Sequence, residues 1–157
     1  MNLTTGHSSG EVAGSYRMGF TVGHHSARHM RRILRMYLAQ WDLAGLSDAA
    51  ELALTELVAN VVRHVPGRGC AVLILRRPDG LRVEVSDGCP APPRVARETG
   101  DGELTEGGRG LLLVEAVADR WGTDPNSTGK TVWFECDAPP PAASGSGRGP
   151  RRQRRGP

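Results

Sequence analysis

The sequence predicts an α/β (α+β) two-layer sandwich, with helices packed on one face of a mixed, mostly antiparallel sheet. Three observations predict it. Tyr16 to Val22, Leu81 to Ser86 and Lys130 to Cys136 alternate apolar and polar residues, as strands buried on one face do. Two longer segments, His24 to Trp41 and Glu51 to His64, carry apolar residues at helical spacing. Turn signals put these pieces in the order strand, helix, helix, strand, strand, long loop, helix, strand, strand.

Residues 1–15 are small and polar and read as a loose lead-in. Tyr16, Met18, Phe20 and Val22 then form the buried side of a first strand. The helix that follows buries Ala27, Met30, Leu34, Tyr37, Leu38 and Trp41. Arg28, Arg31, Arg32 and Arg35 share another of its faces, read as a solvated basic face with a partner or phosphate surface as the alternative. Gly45 breaks the chain, and Ser47 is placed to cap the next helix, with Asp48 and Glu51 in its first turns. That helix carries Leu54, Leu57, Val58, Val61, Val62 and Val65 on its apolar stripe.

Pro66-Gly67-Arg68-Gly69 ends the helix. Cys70 to Arg76 reads as a central strand, and Pro78-Asp79-Gly80 as a hairpin turn into Leu81 to Ser86. Cys89 to Glu106, with Pro90, Pro92 and Pro93, is long for a loop in a small domain and reads as a lid or a disordered segment. Gly107-Gly108-Arg109-Gly110 then feeds a helical run, Leu111 to Ala118. Asp119 to Thr123 is a candidate strand, Pro125 to Gly129 is turn chemistry, and Lys130 to Cys136 closes the sheet. From Ala138 the composition cannot bury a core, so residues 138–157 are expected to be a disordered tail around a domain at 16–137.

The chemistry sits on three short motifs. Glu56, Asn60 and His64 recur every fourth position, so they stack along one helix face. A carboxylate and an amide one turn apart can share an oxygen-preferring cation such as magnesium, which usually brings a phosphate-bearing ligand. Polar pairs at this spacing are also common on plain surface helices. Asp87-Gly88 ends a strand, where a carboxylate can accept a hydrogen bond from an exocyclic amine such as that of adenine; an ordinary Asp-Gly turn has the same sequence. The glycine turn at 107–110 offers free amides and a helix N-terminus to a phosphate, and Arg109 could add a charged contact. A simple loop–helix junction would look alike.

Composition excludes other classes. The net charge is +3, yet residues 138–157 hold five arginines and no acid. Without them fifteen basic residues face seventeen acidic ones, a body of net −2, so direct nucleic-acid binding is not expected. No apolar run is long enough to span a bilayer, and no secretory signal is expected. Cys70, Cys89 and Cys136 fit neither a disulfide framework nor a zinc spacing, which reads as a reduced, cytoplasmic protein.

Taken in order, Glu56/Asn60/His64, Asp87-Gly88 and Gly107 to Leu111 resemble the motifs of the GHKL ATPase superfamily, whose ATP-binding core is the Bergerat fold. Within it the sequence is most similar to the small anti-sigma factor serine/threonine kinases, from about Met18 to Cys136. The resemblance implies an ATP lid and these roles. Asn60 would ligate Mg2+ held by the ATP phosphates, with Glu56 reaching the metal through water. Glu56 would be the general base. Asp87 would read the adenine amine, with Gly88 beside it, and Thr131 would complete the adenine pocket. His64, Gly107, Gly108, Arg109, Gly110 and Leu111 join the cofactor-binding set, with Gly108 and Gly110 letting backbone amides approach the phosphates. The implied activity is phosphorylation of a STAS-type anti-anti-sigma partner by a protein that otherwise sequesters a sigma factor, and the resemblance implies a homodimer. One departure stands out. The superfamily usually has a further glycine shortly after Asp-Gly, where this chain has Cys89-Pro90-Ala91-Pro92-Pro93, a stretch that proline stiffens. A non-catalytic module that binds nucleotide, sigma factor or another partner is therefore the alternative.

Overall fold

Residues 14–93 and 109–140 are described in the computed structural model of the chain. Their strands are β1 (Ser15–Thr21), β2 (Gly69–Arg77), β3 (Gly80–Asp87), β4 (Arg120–Pro125) and β5 (Lys130–Asp137). The helices are α1 (Ser26–Gln40), α2 (Ser47–His64) and α3 (Arg109–Val117). The sheet runs β1-β2-β3-β5-β4. Every pairing is antiparallel, which narrows the expected mostly antiparallel sheet to a wholly antiparallel one among the described residues.

The period-two alternation decides which face is covered. In β3, Leu81, Val83, Val85 and Asp87 are buried, while Arg82, Glu84 and Ser86 point the other way. β5 pairs in phase with it: Val83 lies opposite Phe134, Val85 opposite Val132 and Asp87 opposite Lys130. The helices cover this face with Met30, Leu34 and Leu38 of α1 and Leu54, Leu57, Val58 and Val61 of α2, all buried. Each such side chain contributes about 1.5–3 kcal/mol by leaving water. At the β1 edge, Tyr16 stacks on Tyr37 (centroids 5.0 Å apart) and Tyr37 on Trp41 (5.2 Å).

The opposite face is open and ionic. Glu135 accepts hydrogen bonds from Arg82 (3.0 Å) and Arg120 (2.8 Å), and Arg120 also grips Asp137. The Arg82 guanidinium lies 4.2 Å from the Trp133 ring centre.

Several local expectations shift. Val62 is exposed, and the α2 stripe extends instead to the small residues Ala50 and Ala53, which let α2 sit close to its neighbours. Ser47 does not cap α2. It is the first helical residue, Leu46 holds the cap position, and no side chain caps the end; the preceding 3-10 turn (Ala44–Leu46) leads directly into the helix. Arg109 and Gly110 lie in α3, so these two residues of the expected turn belong to the helix. Ser15 already lies in β1. Gly107, Gly108, the lid beyond Pro93, the lead-in before Gly14 and the tail beyond Pro140 lie outside the described residues. Among the described residues no helix is long and apolar enough to cross a membrane.

Candidate functional site

Glu56 and Asn60 project from α2 toward α3, which packs against it. Their meeting point is Gly110. A Cβ at Gly110 would lie 2.7 Å from Glu56 Oε2 and 3.7 Å from Asn60 Oδ1. Only a residue without a side chain lets the first turn of α3 approach the carboxylate and the amide this closely. Asn60 Nδ2 is buried and has no hydrogen-bond partner among the described residues. Buried amides are nearly always satisfied, so an orphan donor here calls for a ligand atom. Leu111, the next residue, is buried and anchors the helix end in the core.

A second cluster forms where β3 ends. Asp87 falls in phase with Val83 and Val85, so its carboxylate turns toward the helix layer and is buried. Lys130, directly opposite on β5, is buried with it. Lys130 Nζ donates to Asp87 Oδ1 (3.0 Å) and to the Cys89 carbonyl (3.0 Å), and the Cys89 amide donates to the same Asp87 Oδ1 (2.8 Å). Gly129 locks the two strands together. A Cβ there would overlap the Asp87 carbonyl oxygen and lie 2.6 Å from the Gly88 carbonyl carbon. Burial with Asp87 nearby pushes the Cys70 thiol, opposite Asp87 on β2, up to about 12.

Other expected site residues stand apart. Thr131 is one residue out of phase with Lys130, so it faces the open side of the sheet, where its hydroxyl pairs with Ser86 (2.8 Å) and accepts from Asn126 (3.2 Å). The structure does not bring it to the Asp87 carboxylate. His64 and Arg109 are exposed, at the end of α2 and the start of α3. Gly88 is exposed beside Asp87. The arginine face of α1 forms as expected and lines an open concavity of about 660 Å3 with His25 and His29. That hollow is a valley between long side chains, and Arg35, part of its lining, is paired with Glu51 (2.8 and 2.6 Å). Lys130 and Gly129 were missed by sequence reasoning. Lysine at a strand start reads as a solvated end, and only its period-two phase with Val132 and Phe134 marks it as inward-facing.

The profile of the histidine kinase-like ATPase domain matches residues 21–136. The chain belongs to this ATPase domain family. A solved structure, the RsbU and RsbW domains of Rv1364c from Mycobacterium tuberculosis, superposes on it with a TM-score of 0.56 and 18% identity. The match covers 78% of this chain and 31% of the other, so it spans about a third of the length of that chain. At that identity the likeness concerns the fold. No curated protein sequence matches the chain. In the ATPase domain, then, the α2 face with Gly110 and the Asp87 corner are two polar clusters on the helix side of one sheet.

Proposed function

We propose that the protein binds ATP with magnesium and acts as an anti-sigma regulatory factor that phosphorylates a serine or threonine on a STAS-type partner. The observation that carries this reading is the meeting of Glu56, orphaned Asn60 and Gly110 at the start of α3. Asn60 Oδ1 would hold a magnesium ion together with the phosphate oxygens, and the orphaned Nδ2 would donate to one of those oxygens. Among the described residues no group of three or more His, Cys, Asp or Glu could hold a metal unaided, which suits an ion that arrives with its nucleotide. The ion would supply neutralisation of phosphate charge.

The chain's own residues do the rest. In the transfer, the partner's hydroxyl oxygen bonds to the γ-phosphorus as the bond to the β,γ-bridging oxygen breaks, and ADP leaves. Glu56 takes the hydroxyl proton. The α3 N-terminus presents its positive dipole end to the phosphates. Asp87 accepts the adenine amine.

The deciding measurement is calorimetric titration of ATP, with and without magnesium, into the parent and Asn60→Ala. Saturable, magnesium-dependent binding that weakens about tenfold or more in the variant is expected, the loss of one charge-assisted contact. Phosphate transfer to the cognate partner should then fall at least about a hundredfold in Glu56→Ala, in line with the loss of a general base. The second reading, a partner-binding module that never transfers phosphate, draws on Cys89-Pro90-Ala91-Pro92-Pro93, whose prolines stiffen the exit from Asp87. ATP bound but transferred to no partner would select it.

A further inference from the structure

Asp87 is not a free carboxylate. The hydrogen bonds from Lys130 and from the Cys89 amide both fall on Oδ1, and among the described residues none falls on Oδ2. Both side chains are more than nine-tenths buried. Lys130 also holds the Cys89 carbonyl, so one ammonium ties the carboxylate to the backbone that leaves it. Gly129 brings that strand close enough for the clamp to form. The residue expected to complete the pocket, Thr131, faces the other side of the sheet.

We propose that Lys130 is the positioning residue that sets base selectivity, by clamping Asp87 Oδ1 so that Oδ2 is presented as an acceptor to a purine 6-amino group. The inference rests on the nucleotide reading above and deepens it. A carboxylate paired with an ammonium offers acceptors only. It can take a hydrogen bond from adenine, and it meets the 6-oxo group of hypoxanthine acceptor against acceptor, leaving both unsatisfied. The clamp also fixes the direction of the free oxygen, because the carboxylate cannot rotate without breaking two bonds to Oδ1. Lys130 itself does not touch the base.

The test titrates magnesium-ATP and magnesium-ITP into the parent, Lys130→Met and Lys130→Arg, with far-UV circular dichroism to verify folding. The parent is expected to prefer ATP by about tenfold or more, the value of one charge-assisted hydrogen bond. Lys130→Met should cut the ATP/ITP ratio by about threefold or more, because the carboxylate still accepts but is no longer aimed, and Lys130→Arg, which keeps charge and donors, should recover the parental ratio. A folded Lys130→Met with the parental ratio overturns the proposal, because a merely structural lysine would weaken both nucleotides alike. Should Lys130→Met not fold, Lys130→Gln takes its place, with a reduced ratio expected and an unchanged ratio overturning. A parent that binds both nucleotides equally also overturns it. A parent that binds neither overturns the nucleotide reading itself.

Discussion

Two glycines do opposite work. At Gly110 the atom in the way is the far end of the flexible Glu56 side chain, so Gly110→Ala should fold with a loss of about 1 kcal/mol or less. It should nonetheless push Glu56 out of place and cut nucleotide-dependent transfer at least about tenfold, since small displacements of a positioned group are expensive in rate. At Gly129 the obstacle is backbone, so Gly129→Ala should lower stability by about 3 kcal/mol or more and be read as a drop in the urea midpoint. The cysteines separate in the same way. Burial raises the Cys70 thiol to about 12 and the Cys136 thiol to about 11, so neither is a useful nucleophile near neutrality. Cys89 is only half-buried. Iodoacetamide at pH 8 should therefore alkylate Cys89 first, with Cys70 and Cys136 reacting at unfolding, and mass spectrometry of the peptides checks the order.

Among the elements, the open face of the sheet carries carboxylates whose ion pairs are lost in acid. Burial alone would raise the Glu135 carboxyl. Hydrogen bonds from Arg120 and Arg82, with Arg77 nearby, outweigh it and hold Glu135 below its ordinary value of 4.5. A group depressed in the folded state adds stability above its unfolded value and loses it as pH falls through the folded one. Thermal stability should thus decline as pH drops below 4.5, and Glu135→Gln should flatten the decline. At neutral pH that substitution should cost about 1 kcal/mol, discounted because water reaches Arg120. The elements themselves were legible, since period-two and helical stripes survive in the residues that bury. What the sequence could not show was register. Period-two phase puts Lys130, not Thr131, on the face of Asp87, but only the pairing of β5 with β3 sets the two directly opposite each other. Ser47 failed as a cap for a similar reason, because a 3-10 turn ahead of it had already started the coil.

On the scale of the whole molecule, the α2 polar face and the Asp-Gly corner were readable because each motif is local. Their convergence on Gly110 and on Lys130 was not, because it joins α2 to α3 and β3 to β5. The sheet is two hairpins, β2–β3 and β4–β5, zipped together along β3–β5, with β1 added at the far edge. Lys130 and Asp87 sit on that zip, 43 residues apart in the chain. Each hairpin closes a short loop and can form early, whereas the zip must close a long one and pays its entropy only when both hairpins exist. The carboxylate clamp is therefore a contact that neither hairpin can make alone, and the corner it shapes is complete only once β3 and β5 have met.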